Sequence, residues 1–343
     1  MGDDRQTTAL VTGGTGFVGG HMVRALQDQG RPVRTCGRRP RPDDLPEGVD
    51  YRTVDLTSDE SLDELFEGVG DVFHFAGASS STSTPEQMER VNVTGTERLL
   101  QAAYESGVGR VVHVSTSSVY GKEVSLPEPV PEDAECHPSP GYAETKWQAE
   151  QVAWGFADKG LPVVVLRPVT VYGPGAIKLV ASTILDAAIE RFAGLDAFAV
   201  PSEPVELRLV HVDDVVAACS HLAASDEAVG RAFNLAAGVY PSSHVVAEPL
   251  ADEVGIALEL TDDPDAGLSY ERRAEERDKM LAAGMTEGIL LKEERIRFLK
   301  KANPNNRLSL DALESTGFRP QVTDIPANVR ASVRWYREQR WII

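Results

Sequence analysis

The residues of this chain best suited to chemistry are a tyrosine and a lysine four positions apart, Tyr142 and Lys146, within the stretch PGYAETKWQAEQ. Side chains at that spacing share one face of a helix. A phenol can exchange a proton with a substrate when a nearby ammonium group favours the phenolate and lowers the tyrosine pKa from about 10. The same two-residue pattern also occurs on ordinary solvated helices, so the surrounding segments decide its meaning.

A glycine-rich loop near the start of the chain is a second chemical feature. The strand-like TALVTG runs into TGGTGFVGG, which has the spacing G-x-x-G-x-x-G and leads into a helical pattern. Glycines there permit a tight turn, close approach of a pyrophosphate, and close packing of helix and strand, while free N–H groups at the helix start attract phosphate. We therefore predict a dinucleotide site that includes the loop residues Gly13, Thr15, Gly16, Phe17, Val18 and Gly19.

The end of the second strand, TCGRRP, bears on which dinucleotide binds. A carboxylate at this point would bond the ribose hydroxyls of NAD. Here Gly37 takes the acid position, and Arg38 and Arg39 follow it. Two guanidinium groups suit the 2′-phosphate of NADP. We predict that NADP is preferred and that NAD is the alternative; two solvated arginines before a proline-rich loop are the other interpretation.

The elements that position these residues follow a regular order in the first half of the chain. Short apolar strands alternate with helical patterns, including one long helix over 85–107, and this alternation predicts a parallel sheet with helices on both faces. We predict an α/β protein with a Rossmann-type doubly wound parallel sheet and a smaller mixed α/β C-terminal domain. The dinucleotide-binding domain covers 1–175 with contributions from about 205–238, and the substrate-binding domain covers 176–204 and 239–343.

A charged segment stands apart from this alternation. Residues 269–302 have a helical pattern with many charged and few apolar residues. A helix that is polar all round is exposed to solvent or is used in a contact. We interpret the segment as a solvated helical hairpin, with part of a subunit contact as the alternative.

Composition excludes several classes of function. The 343 residues include 34 Lys+Arg and 53 Asp+Glu, a net charge of −19, which disfavours binding to nucleic acid or an anionic membrane. No apolar run is long enough to cross a bilayer. Cys36, Cys136 and Cys219 are widely spaced, which indicates reduced thiols in a cytoplasmic protein and no zinc site. We predict a small-molecule substrate and no metal, nucleic-acid or membrane partner.

Taken in order, the strand, the glycine loop, VSTSSVYG and YAETK resemble the extended short-chain dehydrogenase/reductase family, also called the NAD-dependent epimerase/dehydratase family. Further segments are similar to the family pattern over nearly the whole chain: Asp55-Leu56, HFAG at 74–77, NVTGT at 92–96, LRPVTVYGPG at 166–175, the VHVDD stretch around His211, and STGFRP at 315–320. The resemblance implies a hydride-transferring enzyme. Family members often dimerise through two helices that include the Tyr142 helix, so we also expect a homodimer.

The resemblance also implies residue roles. Tyr142 and Lys146 would be the catalytic pair and would also contact the cofactor, and Thr116 would hold the reacting oxygen. Ser117, Ser118 and Thr170 would lie beside the substrate. The remaining cofactor residues would be Asp55 and Leu56 at the adenine, Ala76 and Gly77 in the groove, Asn92 in the helix behind the active site, and Arg167 and Pro168 next to the nicotinamide.

The chain departs from parts of the family pattern. Sugar-nucleotide dehydratases carry an acid pair after the catalytic threonine, where this chain has Ser117 and Ser118. Sugar-nucleotide epimerases usually have asparagine at the position of Thr170 and arginine at that of Leu207. Loss of the acid pair disfavours dehydration, and the other two changes weaken the case for a nucleotide diphosphate substrate.

Three hypotheses follow. The first is an NAD(P)-dependent oxidoreductase that interconverts a ketone and a secondary alcohol on a small metabolite, with Tyr142 as acid/base. The second is a nucleotide-sugar C4 epimerase or 4-ketoreductase that uses the same tyrosine, lysine and threonine. The third is a non-catalytic NADP sensor, which the complete set Thr116, Tyr142 and Lys146 disfavours.

Overall fold

The structure is a computed structural model that describes residues 7–79, 82–121, 126–263, 266–293 and 307–343. Its backbone groups into two units. The first contains the described residues of 1–169, 213–236 and 304–320, and the second contains those of 170–212, 237–303 and 321–343.

The first unit is built on a parallel sheet. Within the described residues it has seven strands, whose spatial order reverses between the first and fourth strands along the chain. This is the doubly wound α/β arrangement that the sequence predicted. In spatial order the strands are β3 (Asp50–Thr53), β2 (Val33–Gly37), β1 (Thr8–Thr12), β4 (Val69–His74), β5 (Arg110–Val114), β6 (Val163–Pro168) and β10 (Ala232–Leu235).

The helices of the first unit cover this sheet. Apolar side chains of the sheet, such as Val72, Val111 and Val163, pack against Leu99 and Phe156 in one buried cluster. Strands buried in this way are rich in valine, as parallel strands covered on both faces usually are. The helices are α1 (Phe17–Asp28), α2 (Asp63–Phe66), α3 (Pro85–Glu89), α4 (Gly95–Glu105), α5 (Tyr142–Ala157), α7 (Val212–Ala223, whose first residue groups with the second unit) and α10 (Asp311–Ser315).

The long helix predicted over 85–107 is not uniform. It begins with a capping box in which Thr84 and Gln87 bond each other's backbone N–H groups. A single π-helical turn, Arg90–Thr94, separates α3 from α4. Such turns insert an extra residue and are frequent at functional sites.

The second unit has two small parallel strand pairs: β7 (Thr170–Tyr172) pairs with β9 (Leu209–His211), and β8 (Ala197–Pro201) pairs with β11 (Ala257–Thr261). Its helices are α6 (Val180–Phe192), α8 (Ser243–Val254), α9 (Tyr270–Ala282) and α11 (Ile325–Glu338). Throughout the part of the chain that the structure describes, no helix has both the length and the apolar character needed to cross a bilayer.

The predicted domain bounds and the predicted charged hairpin differ from this arrangement. Residues 170–175 and 205–212, which we predicted in the dinucleotide-binding domain, group with the second unit. Residues 307–320 group with the first unit, although we predicted them in the substrate domain, because Val130 exchanges backbone hydrogen bonds with Arg307 and Ser309. The charged segment contains one described helix, α9, and residues 294–302 lie outside the described residues. That helix is not solvated all round: it packs on α6, and its Arg273 is buried against Asp186.

Candidate active site

The glycine-rich loop joins β1 to α1 at the carboxyl edge of the sheet. Gly13 has a φ of +71°, a conformation that glycine adopts without strain. A Cβ atom on Gly13 would lie 2.8 Å from the Ala76 nitrogen, and one on Gly19 would lie 2.2 Å from the Gly13 oxygen. The tight turn and the close packing predicted from the sequence are therefore present.

The start of α1 is suited to an anion. Gly16 is the N-cap residue and supplies no side-chain hydrogen bond, and no acidic residue occupies the first turn. The N–H groups of Phe17, Val18 and Gly19 therefore lack acceptors within the helix. Backbone N–H groups and the helix dipole together favour a phosphate at this position.

A cavity of about 520 Å³ lies beside this loop, within the first unit. Its walls come from the carboxyl ends of β1, β2, β3 and β4, which is where ligands bind in doubly wound sheets. Nine of the residues predicted to contact a cofactor line it, namely Gly13, Thr15, Gly16, Arg38, Arg39, Asp55, Leu56, Ala76 and Gly77. Lining residues that the sequence reasoning missed include Cys36, Pro42, Tyr51, Val54, Thr57, Phe75 and Val91.

Tyr51 is the most informative of the missed residues. Its hydroxyl donates a hydrogen bond to the Arg39 carbonyl oxygen at 2.6 Å. A Cβ atom on Gly37 would lie only 2.6 Å from that same hydroxyl oxygen. Tyr51 therefore occupies the space that a carboxylate at position 37 would need. The signal in the sequence is weak, because it depends on the pairing of β2 with β3.

Asp55 lies at the cavity wall, and hydrogen bonds hold its carboxylate in place. One of its oxygens accepts hydrogen bonds from the Thr57 backbone N–H at 2.9 Å and from the Thr57 hydroxyl at 2.8 Å. Burial acts to raise the Asp55 pKa, but the Thr57 hydrogen bonds and the charges of Arg38 and Arg90 outweigh it and hold the pKa below its usual value. The side chain is thus ionised and oriented at neutral pH.

Tyr142 and Lys146 lie on the first turns of α5, as the sequence predicted. The Lys146 ammonium is buried and donates to the Val114 carbonyl oxygen at 2.8 Å. Burial lowers the Lys146 pKa to about 8, against the opposing charge of Glu150. Within the described residues the Tyr142 hydroxyl has no hydrogen-bond partner of its own.

Burial sets the pKa of Tyr142 in the protein alone and raises it to about 12. The reason is that burial disfavours the charged phenolate, while the Lys146 ammonium is directed to the Val114 carbonyl. At neutral pH Tyr142 therefore carries its proton. The lower pKa that we expected depends on Lys146 together with the positive nicotinamide ring, and it stays a prediction for the complex.

Thr116 follows β5 and caps a 3₁₀ turn, Ser117–Tyr120. Its hydroxyl oxygen accepts from the Ser118 N–H at 3.2 Å, and the hydroxyl donates to the Ser118 hydroxyl, also at 3.2 Å. Ser117 and Ser118 are partly exposed, whereas Thr116 is buried. The three predicted residues are thus held by one short turn at the carboxyl end of β5.

Asn92 lies in the π-helical turn and links two parts of the site. Its side-chain oxygen accepts from the Ala78 N–H at 2.7 Å. Its amide nitrogen donates to the Ala78 carbonyl at 3.0 Å and to the Thr145 hydroxyl at 2.9 Å. Asn92 does not line the cavity; it ties the loop after β4 to the helix that carries Tyr142 and Lys146.

Several predicted residues do not line the cavity: Phe17, Val18, Gly19, Asn92, Thr116, Tyr142, Lys146, Arg167, Pro168 and Thr170. The Arg167 guanidinium is buried and bonds Glu150 and Tyr120, and it does not line the cavity. No side-chain contact therefore supports the predicted cofactor role of Arg167. Pro168 ends β6, and Thr170 begins β7 in the second unit.

A buried histidine supports the sheet beneath the site. The ring nitrogens of His74 lie 2.7 Å from the Thr12 hydroxyl and 2.8 Å from the Thr96 hydroxyl. Burial, together with the charge of Lys146, lowers the His74 pKa to about 3. His74 is therefore a neutral hydrogen-bonding residue at neutral pH.

This fold and site define a class of protein. A doubly wound sheet, a glycine loop that opens a helix, a cavity at the carboxyl edge and a helical tyrosine–lysine pair are together typical of dinucleotide-dependent α/β enzymes. The chain belongs to the NAD dependent epimerase/dehydratase family, whose model matches residues 9–236. The family predicted from the sequence is thus confirmed, and with it the chain's assignment as an enzyme.

Individual relatives differ in activity. The chain is 31% identical to GDP-6-deoxy-D-mannose reductase of Pseudomonas aeruginosa over 281 residues, which is 78% of this chain and 86% of that protein. It is 33% identical to 2-alkyl-3-oxoalkanoate reductase of Stenotrophomonas maltophilia over 175 residues, 50% of this chain and 53% of that protein. The chain thus spans only about half the length of some curated relatives that it matches.

A solved structure, that of MoeE5 in complex with UDP-glucuronic acid and NAD, has the same fold. Its TM-score is 0.71 at 27% sequence identity, and the match covers 96% of this chain and 99% of that chain. The similarity extends over both units described above, and the family of this chain is NAD-dependent.

Proposed function

We propose that this enzyme is an NADP(H)-dependent oxidoreductase that interconverts a ketone and a secondary alcohol on a small metabolite. The observation that carries the proposal is the cavity end formed by Gly37, Tyr51, Arg38 and Arg39. It presents two cations and has no carboxylate at position 37, where a side chain would meet the Tyr51 hydroxyl. This suits a 2′-phosphate and an exchangeable reducing cofactor.

The residues present fit a dinucleotide. The Gly13–Gly19 loop would hold the pyrophosphate, Asp55 and Leu56 the adenosine, and Arg38 with Arg39 the 2′-phosphate. When bound, the cofactor supplies or accepts the hydride, and the protein supplies orientation and proton transfer. The fit rests on the cavity, on the close approaches at Gly13 and Gly19, and on the uncapped start of α1.

Tyr142 is suited to the direction of reduction. Because burial keeps its pKa at about 12, the hydroxyl is protonated and can donate to a carbonyl oxygen as that oxygen gains charge. Thr116 would bond the same oxygen, and Lys146, one turn along α5, would supply positive charge beside the phenolate left behind. Oxidation of an alcohol requires a deprotonated Tyr142 and is favoured at higher pH.

The substrate is proposed to be a small ketone rather than a nucleotide sugar. The turn after Thr116 offers the hydroxyls of Ser117 and Ser118 in place of an acid pair, so it can bond a polar substrate but has no carboxyl group for dehydration. One relative is a 2-alkyl-3-oxoalkanoate reductase, in agreement with ketone reduction. Thr170, in the second unit, stays a predicted substrate residue.

A nucleotide-sugar C4 epimerase or 4-ketoreductase is the second candidate. It is favoured by the fold similarity to a protein solved with UDP-glucuronic acid and NAD, and by a GDP-sugar reductase among the relatives. The same Tyr142, Lys146 and Thr116 would serve that chemistry. The non-catalytic sensor is set aside, because the family and its relatives are enzymes.

Two further properties are proposed. We place the protein in the cytoplasm, because its cysteines at 36, 136 and 219 are free thiols. We also propose a homodimer whose contact includes α5. A sedimentation velocity run at micromolar concentration tests the dimer: a monomer of 37.1 kDa would refute it.

The first experiment identifies the cofactor. Dinucleotide is released from the purified protein by denaturation and identified, and the apo-protein is then titrated with NADPH and NADH by fluorescence. Reversible binding that prefers NADPH supports the proposal, and turnover of a ketone panel by wild type but not by Tyr142→Phe completes it. Stoichiometric, non-exchanging NAD would instead make the epimerase the leading function.

A further inference from the structure

A buried polar cluster connects α5 to β6, and its residues are not among those that line the cavity. At its centre is Arg167 in β6, whose side chain is 5% exposed. Its guanidinium donates to both carboxylate oxygens of Glu150, to the Tyr120 hydroxyl at 2.8 Å and to the Glu132 carbonyl at 2.8 Å. The Glu150 side chain is fully buried.

These partners belong to the elements that carry the catalytic residues. Glu150 lies on α5, one helical turn beyond Lys146. Tyr120 ends the 3₁₀ turn that begins at Ser117 and is capped by Thr116. One guanidinium group thus bonds the helix of the tyrosine–lysine pair and the turn of the substrate hydroxyls at the same time.

The cluster extends to a third element, the loop that precedes α5. The Tyr120 hydroxyl donates to the Asn234 side-chain oxygen at 2.7 Å. Asn234 donates from its side chain to the Val130 carbonyl at 3.0 Å and from its backbone to the Glu132 carboxylate at 2.9 Å. Polar contacts therefore anchor the loop to β6 and β10.

Geometry makes this arrangement rigid. An arginine–carboxylate pair with two hydrogen bonds fixes both side chains, since the guanidinium is planar and its donors have a fixed separation. A buried charge without its partner is strongly unfavourable, so neither Arg167 nor Glu150 can turn away. Tyr120 and Trp147 also place their rings within 5.1 Å and 5.9 Å of the guanidinium carbon.

We infer that Arg167 is a positioning residue, which holds the helix of Tyr142 and Lys146 in register with the turn of Thr116, Ser117 and Ser118. This inference rests on the proposed function, and it replaces the role beside the cofactor that the sequence predicted for Arg167. It requires that Arg167 affect the rate of the chemical step and leave cofactor binding largely unchanged.

The test compares Arg167→Lys, which keeps the charge and loses the planar fork, with a matched control. Arg273→Lys breaks an equally buried pair, Arg273 with Asp186, in the second unit. Tyr120→Phe removes one hydroxyl from the cluster and serves as a mild second variant, should the lysine variant fold poorly. Each variant is examined for thermal midpoint, NADPH affinity, kcat and KM with a ketone, and hydrogen exchange.

For Arg167→Lys we expect kcat to fall about tenfold to 100-fold, because small misplacements of catalytic groups have effects of that size. NADPH affinity and KM should change by less than about threefold. Hydrogen exchange should quicken in the peptides 115–121 and 142–150. Tyr120→Phe should show the same pattern with a fall in kcat of about threefold to tenfold. Arg273→Lys should lower the thermal midpoint and leave kcat unchanged.

Two results would overturn the inference. If Arg167→Lys binds NADPH much more weakly but has a normal kcat at saturation, the predicted role of Arg167 beside the cofactor is supported instead. If Arg167→Lys, like Arg273→Lys, lowers the thermal midpoint and leaves kcat unchanged, Arg167 only stabilises the fold. If the wild type turns over no ketone, the proposed function fails, and the hydrogen-exchange comparison by itself decides the positioning role.

Discussion

We predict that two substitutions reverse the cofactor preference, one at Gly37, which ends β2, and one at Tyr51 in the neighbouring strand β3. Gly37→Asp introduces the carboxylate that NAD-binding proteins place there, but its Cβ atom would lie 2.6 Å from the Tyr51 hydroxyl oxygen. Such a separation is too short for any real contact, so in the single variant either the Tyr51 side chain or the loop must shift. Tyr51→Phe removes that oxygen and leaves a ring carbon at 3.6 Å as the nearest atom, which is an ordinary contact.

The magnitudes follow from these distances. Tyr51→Phe by itself loses one exposed hydrogen bond to Arg39 and should cost about 0.5–1 kcal/mol of stability. Gly37→Asp by itself should weaken both cofactors. In the double variant the aspartate can bond the ribose hydroxyls and repels the 2′-phosphate. Hydrogen bonds to a charged group contribute about 1.5–3 kcal/mol, so NADH should gain about tenfold to 100-fold over NADPH.

The assay is a fluorescence titration of wild type, both single variants and the double variant with NADPH and NADH. A double-mutant cycle then gives the coupling between positions 37 and 51, which should favour NADH binding in the double variant alone. Equal loss of NADH affinity in Gly37→Asp with and without Tyr51→Phe would refute the steric argument. An unchanged preference in the double variant would refute the assignment of this cavity end to the 2′-phosphate.

Other predictions use separate parts of the structure. Tyr142→Phe should lower kcat by about 10²–10⁴ while NADPH affinity stays within threefold, as measured by steady-state kinetics and titration, and retained turnover would contradict the proposed role. Asn92→Ala should lower kcat and speed hydrogen exchange after β4. An exchange pattern equal to wild type would contradict the role of Asn92 in tying the loop after β4 to α5. Gly19→Ala should abolish dinucleotide binding, because its Cβ atom would lie 2.2 Å from the Gly13 oxygen. Normal binding in a titration would contradict this and show that the loop adjusts. The folded pKa of His74, about 3, lies below the unfolded value of about 6.5, so the unfolded chain binds the proton first and stability falls as pH drops below 6.5. At pH 5 the free energy of unfolding should be lower by about 2 kcal/mol because of His74. An equal free energy of urea unfolding at pH 7 and pH 5 would contradict this prediction.

The sequence alone was sufficient for the features that are local in the chain. The alternation of strands and helices, the G-x-x-G-x-x-G loop and the spacing of Tyr142 and Lys146 depend on neighbours within a few residues. They led correctly to the doubly wound sheet, the enzyme class and the family. A periodic pattern cannot show a single π turn, so the break around Asn92 within the long helix was not predicted.

Tertiary structure decided every feature that joins segments distant in sequence. Only the pairing of β2 with β3 brings Tyr51 against Gly37, and only the packing of α5 on β6 directs Arg167 to Glu150 and away from the cavity. The pKa of Tyr142 in the protein alone depends on the tertiary structure for the same reason, since the burial that raises it comes from the whole fold. Sequence spacing thus determined which residues take part, whereas strand register and burial determined what surrounds each of them.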